Sequence, residues 1–225
     1  MDGILIVDKP QGLTSHDVVD FIRKRFSIKK VGHAGTLDPM ATGLLIILIG
    51  NYTKHSNRFL NGDKEYDATM TLGATSDTGD AWGKIIPSAA FNNAAVEDIE
   101  GAFNKFLGPI EQAVPSYSAK KFKGKKLYEL ARKGIEIKLE PKKIVIHSLK
   151  ITRINLPEIS FKVNCSKGTY IRQLCMDIGA VLGCGAYMSK LHRTGSGGIN
   201  MDDAISIEEL KGIDAQALGS RLKAL

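Results

Sequence analysis

Apolar residues recur along this chain with two periods, and the elements follow from where the period changes. Ile4 to Val7 is a short apolar run closed by Asp8-Lys9-Pro10-Gln11-Gly12, which predicts a strand and then a turn. Thr14 follows with Asp17 three residues on, the spacing of a capping box, and Val19, Phe21, Ile22 and Phe26 then recur at helical spacing. Leu44 to Ile49 is an unbroken apolar run of strand length, read as a buried strand. From Lys64 to Leu72 the chain alternates. Tyr66, Ala68, Met70 and Leu72 point one way and Glu65, Asp67, Thr69 and Thr71 the other, so this is a half-buried strand with Tyr66 on its apolar face.

Residues 75–83 are polar and turn-rich. Their two aspartates do not have the spacing of a Ca²⁺ loop, and the segment reads as a structured turn. Asn93 is expected to cap a helix carrying Val96, Ile99, Phe103 and Phe106, closed by Gly108-Pro109. Ile144–Ile151 and Ile159–Cys165 form a hairpin around Asn155 to Glu158. Ile171, Leu174, Cys175, Ile178, Val181 and Leu182 give a helical stripe ended by Gly183. Tyr170 and Arg172 therefore lie at a strand-to-helix junction, at the positive end that anions favour. Tyr187 to Leu191 predicts a short strand, and Ser206 caps a final helix. Strands and helices interleave irregularly around hairpins without repeat or linker. That predicts one α+β domain with a mixed, mostly antiparallel sheet flanked by helices.

Composition adds limits. An apolar share of 43% in 225 residues suffices for a core. No apolar run approaches the roughly 20 residues of a membrane span, and the first residues lack the basic start of a signal peptide. Three cysteines outside any CxxC pair suggest reduced thiols in a cytoplasmic protein rather than a disulfide framework or a zinc site. The net charge is +7, and the stretch from Lys120 to Lys143, with ten Lys or Arg and three Glu, carries all of that excess. Charge gathered in one segment points to a polyanion partner.

The densest chemistry lies in Gly32-His33-Ala34-Gly35-Thr36-Leu37-Asp38-Pro39-Met40-Ala41-Thr42-Gly43. Pro39 pushes Asp38 towards an extended backbone, and the glycines allow sharp turns. A single carboxylate is thus displayed on a stiff loop that feeds a buried strand, although turn formation alone would also account for the Asp-Pro pair.

Taken together, the motifs resemble the TruB family of tRNA pseudouridine-55 synthases over roughly residues 3–210. The likeness rests on Asp8-Lys9-Pro10 with Gly12 and Ser15, on Gly32 to Gly43, and on Lys64-Glu65-Tyr66. It continues with Leu72-Gly73, Ser76-Asp77-Thr78-Gly79-Asp80, Pro115-Ser116-Tyr117-Ser118-Ala119-Lys120, Ser166 to Arg172, and Leu191-His192-Arg193-Thr194. The resemblance implies the pseudouridine-synthase fold as a single catalytic domain, residues 1–225, with a basic RNA-binding insertion at about 117–143. Many bacterial relatives carry a C-terminal PUA domain, and none is expected here.

The activity implied is isomerisation of a uridine in the T loop of tRNA, without cofactor or metal, by a monomer that contacts the T stem-loop and no membrane. By the resemblance Asp38 is the nucleophile, attacking either sugar or base, on a uridine flipped out of its stack. His33 braces the vacated space, Tyr66 stacks on the base and is a candidate for proton transfer, and Tyr170 and Leu191 line the pocket. Arg172 pairs with Asp38. Lys120, Lys123, Lys125 and Lys126 are expected on the RNA backbone. An RNA-binding module without catalysis, or a guide-dependent enzyme of the dyskerin branch, would share the fold.

Overall fold

A computed structural model describes residues 1–88, 94–118, 120–122, 124–131, 133–135, 137 and 139–224. The expected cap at Asn93 and the backbone contact at Lys123 lie outside the described residues. In chain order the elements are β1 (Gly3–Lys9), α1 (Ser15–Phe26), β2 (Val31–Ala34), β3 (Thr42–Ile49), a 3-10 turn (Gly50–His55), α2 (Ser56–Leu60), β4 (Lys64–Leu72), β5 (Ala74–Ser76), β6 (Ile85–Pro87), α3 (Val96–Asn104) and β7 (Gly108–Gln112). There follow β8 (Lys121–Phe122), β9 (Lys125–Lys126), α4 (Leu127–Ala131), β10 (Lys142–Asn155), β11 (Glu158–Cys165), α5 (Ile171–Val181), β12 (Ala186–Ser196), β13 (Ile205–Ser206), α6 (Ile207–Gly212) and α7 (Ala215–Arg221). The chain forms two compact units, one of Met1–Asp67 with Leu191–Leu225, the other of Ala68–Lys190.

In the first unit β3 is the central strand. It pairs antiparallel with β1 from Gly3↔Ile49 to Lys9↔Gly43, antiparallel with β2, and parallel with β12 at His192 and Arg193. β13 runs parallel to β1. Both faces of these strands are covered. Leu5, Val7, Leu45, Ile47 and Ile49 pack with Val18, Val19 and Ile22 of α1, while Ile4, Ile6, Leu44, Ile46 and Leu48 pack with Phe59. Burial on two faces is why residues 44–49 read as a continuous apolar run rather than an alternating one. The capping box of α1 is present: Thr14 Oγ1 accepts from Asp17 N at 3.0 Å, and Asp17 Oδ2 accepts from Thr14 N at 2.7 Å.

In the second unit β10 pairs antiparallel with both β11 and β7, and the β10–β11 turn contains a cis Leu156–Pro157 bond. Ile159, Phe161, Val163 and Cys165 are buried as their alternation predicts, with Phe103 of α3 edge-on to Phe161 at 5.4 Å. The α+β class and the mixed, mostly antiparallel pairing hold.

Several boundaries differ from the sequence expectation. The helix after residue 95 ends at Asn104 and excludes Phe106. Gly108-Pro109, expected only to close it, opens β7, which among the described residues lies at the end of the sheet order beside β10. Proline is tolerated there because an edge strand needs no donor on its outer side. Val31–Ala34, expected as loop, is a strand on β3. β12 continues through His192-Arg193-Thr194-Gly195, well past Leu191.

Candidate active site

Asp38 lies on the loop between β2 and β3, and this loop is clamped on both sides of it. Gly35 leaves β2 at a φ of 86°, a left-handed conformation that favours glycine. Leu37, just before Asp38, is buried, and its peptide group is gripped twice by the buried Ser15 hydroxyl. Leu37 N donates to Ser15 Oγ at 2.8 Å, and Ser15 Oγ donates to Leu37 O at 3.2 Å. Pro39, just after it, accepts from Gly12 N at 2.8 Å. Ala41 N closes the turn onto Asp38 O at 3.0 Å, and Met40 and Ala41 are buried. Asp38 itself is half-buried between these fixed neighbours.

Two buried cations support the loop from within. Lys9 is fully buried, and its Nζ donates to Pro10 O at 2.9 Å, Leu13 O at 2.7 Å and Pro39 O at 3.5 Å. Burial pushes the Lys9 ammonium down to about 8. The negative charge of Asp38 opposes that shift, that of Asp17 does so less, and the charge of Arg193 adds to it. Arg193, 1% exposed, donates from Nε to Leu44 O at 2.7 Å and from Nη2 to Gly35 O at 2.9 Å, tying together the two ends of the Asp38 loop. Burial lowers the Arg193 guanidinium from its ordinary value, and the neighbouring Tyr66 phenol works the other way. Gly43, at a φ of 96°, lets the Arg193 backbone lie directly against β3, since a Cβ there would run into Arg193 O. His33, on β2, is held below the ordinary histidine value by burial and by the charges of His16 and Arg193. Its Nδ1 is buried without a hydrogen-bond partner. Leu191, buried on β12, accepts from Thr42 Oγ1 at 3.4 Å. The first unit therefore holds His33, Asp38, Tyr66 and Leu191, with Arg193 next to Gly35, Tyr66 and His33.

The second unit holds Tyr170 and Arg172. Tyr170 is the N-cap of α5, with no side-chain cap of its own. The buried side chain of Gln112 meets its backbone at both the N–H and the carbonyl. Arg172 is 5% exposed and donates to Thr78 O at 2.6 Å and Tyr117 O at 2.7 Å, with Asp80 Oδ2 3.7 Å from its Nε. The expected carboxylate partner was Asp38; within its own unit the carboxylate beside Arg172 is Asp80. The 75–83 segment is indeed a structured turn: Asp80 Oδ1 accepts from Thr78 Oγ1 at 2.8 Å and from Trp82 N at 3.0 Å. Lys120 and Lys125 are exposed, and β8 and β9, which includes Lys126, form a small antiparallel hairpin before α4.

Sequence reasoning missed Lys9, Gln112, Arg193 and Asp80 as site-shaping residues. Three of the four stand in the motifs quoted for the resemblance; Gln112 does not. Among the described residues no group of three or more His, Cys, Asp or Glu side chains could hold a metal ion.

Residues 23–171 match the family model for the N-terminal domain of TruB family pseudouridylate synthases. Residues 172–225 match that for the C-terminal domain of tRNA pseudouridylate synthase B. The chain belongs to the TruB family. Pseudouridine synthases are isomerases, and the TruB chain described here is an enzyme of that class. It is 49% identical over 210 residues to the tRNA pseudouridine synthase B of Clostridium tetani, covering 93% of this chain and 73% of that one. Its fold is similar to a chain in the crystal structure of a Cbf5-Nop10-Gar1 complex, with a TM-score of 0.74 and 30% identity over 93% of this chain and 54% of that one. It is also similar to a chain in an H/ACA RNP bound to a substrate RNA containing 2'-deoxyuridine, with a TM-score of 0.70 and 27% identity over 95% of this chain and 56% of that one. The TruB chain thus spans a little over half the length of these two structural neighbours.

Proposed function

We propose that this TruB-family isomerase converts a uridine in the T loop of tRNA to pseudouridine, with Asp38 as nucleophile on a flipped-out base. The observation that carries the reading is the double clamp on the Asp38 loop. A half-buried carboxylate sits between two backbone groups pinned by Ser15, Gly12 and Lys9, the preorganisation a nucleophile needs. The relatives' name, tRNA pseudouridine synthase B, supports tRNA as substrate. The reaction breaks the C1′–N1 bond and forms a C1′–C5 bond. Its atoms balance within the uridine, with no water consumed and no electrons gained.

In this reading His33 braces the space left by the flipped base. Its lowered affinity for protons suits a neutral, space-filling imidazole. Tyr66 stacks on the base and is the candidate for proton transfer, and Tyr170, Leu191 and Arg172 are assigned to substrate binding. Lys120, Lys123, Lys125 and Lys126 contact phosphates of the T stem-loop. The whole chain acts as a single catalytic domain, a monomer in the cytoplasm, and residues 117–143 form its basic insertion. The test is incubation of the purified protein with an unmodified tRNA transcript, followed by sequencing for pseudouridine. One modified T-loop uridine is expected; none, or modification elsewhere alone, contradicts the reading.

A further inference from the structure

Gln112 stands at the end of β7 and is 1% exposed. Its Oε1 accepts from the Tyr170 backbone N–H at 2.8 Å, and its Nε2 donates to the Tyr170 carbonyl at 3.1 Å. A side-chain amide thus pairs with a main-chain residue at both ends, much as one strand pairs with another. The partners fix which end of the amide is which, since the N–H requires an acceptor and the carbonyl a donor. Tyr170 is the N-cap of an eleven-residue helix, at φ −102° and ψ 106°. Its N–H has no partner inside the helix, and Gln112 supplies one. Its carbonyl also accepts Leu174 N at 3.0 Å, the first helical bond. Two residues on, Arg172 Nη2 donates to Tyr117 O. The segment from Gln112 to Tyr117 therefore grips the start of α5 at two points just before the chain enters its basic stretch.

We infer that Gln112 is a positioning residue whose amide sets the Tyr170 backbone, and through it the direction in which Tyr170 and Arg172 meet the substrate uridine. This inference rests on the proposed function. It predicts that loss of either half of the clamp slows the chemical step while RNA affinity stays near that of the wild type.

The experiment uses the two-sidedness of the amide. Gln112→Glu is nearly isosteric. An ionised carboxylate there still accepts from the Tyr170 N–H but sets a negative oxygen against the Tyr170 carbonyl; the protonated carboxyl donates to that carbonyl as the amide does. Buried beside a carbonyl, the introduced group titrates well above the ordinary value of about 4.3. Single-turnover rates on a tRNA transcript are measured across pH and expressed as the ratio of variant to wild type. The ratio should be about tenfold low near pH ~8 and rise to within about threefold of unity near pH ~5.5. Gln112→Leu, which offers neither partner, should be slow throughout. A Gln112→Glu ratio of unity throughout, or one that is low and flat with pH, overturns the inference. Should the variants not fold, the wild-type protein decides. The Tyr170 amide should exchange with solvent deuterium slowly, and exchange as fast as an exposed amide overturns the clamp. A wild-type protein inactive on tRNA brings down the functional reading and this inference together; an active one with a flat ratio brings down the inference alone.

Discussion

A lysine with no exposed surface is costly to keep charged, and Lys9 keeps its place by donating to three backbone carbonyls under the Asp38 loop. Its affinity for a proton falls from 10.5 in the unfolded chain to about 8 in the folded one. Between those values the unfolded state binds more protons, so the contribution of Lys9 to stability rises with pH across that window. The melting temperature of wild type relative to Lys9→Met should therefore climb as the pH is raised from 8 to 10.5. A difference that stays flat would mean that Lys9 is not desolvated. Ser15 makes a separate case. Ser15→Ala leaves the buried Leu37 N–H and carbonyl without their partner, at a cost of about 1–3 kcal/mol in denaturant unfolding. Because that peptide group adjoins Asp38, single-turnover chemistry should slow more than RNA binding weakens. Equal stability and equal rate in the variant would show that the loop is held by other contacts.

The elements that were legible from sequence are those whose side chains repeat. The capping box at Thr14 and Asp17, the apolar run of β3, the alternation of β4 and β11 and the stripe of α5 as far as Ile178 all follow from local pattern; Val181, counted in that stripe, is exposed, and Leu182 lies past the helix end. β2 did not show because four residues that include a glycine and a histidine carry no period, and they form a strand only through pairing with β3. β7 was hidden by Gly108-Pro109, which reads as a helix stop, and a sheet edge accepts it. At the site, Asp38 was visible because glycine and proline shape its loop. Gln112 gave no sign, since a lone polar residue reveals nothing of a partner 58 positions away. Lys9 and Arg193 run against the rule that cations stay outside, and only tertiary structure shows the carbonyls that receive them. The basic stretch belongs to the same scale. Replacing Lys123, Lys125 and Lys126 together with Ala should weaken tRNA binding at low salt. The slope of log affinity against log salt should flatten by about one unit per lost phosphate contact. The rate at saturating tRNA should change far less, and an unaltered slope would identify this stretch as a solvated face.

For the molecule as a whole, the proposed chemistry runs through one carboxylate. Lys9, Ser15 and Arg193 fix the backbone around Asp38, Gln112 fixes the start of α5, and the excess positive charge lies in the stretch assigned to RNA. With the work divided in this way, recognition survives the loss of the carboxylate and chemistry does not. Asp38→Asn keeps the shape of the side chain and removes its charge and nucleophilicity. The most direct measurement is single-turnover pseudouridine formation by this variant beside the wild type on one unmodified tRNA transcript, with affinity determined in parallel. Expected are tRNA affinity unchanged within about threefold, a modified T-loop uridine with the wild type and no product with the variant. Pseudouridine formed by Asp38→Asn above trace rate would contradict the proposed chemistry.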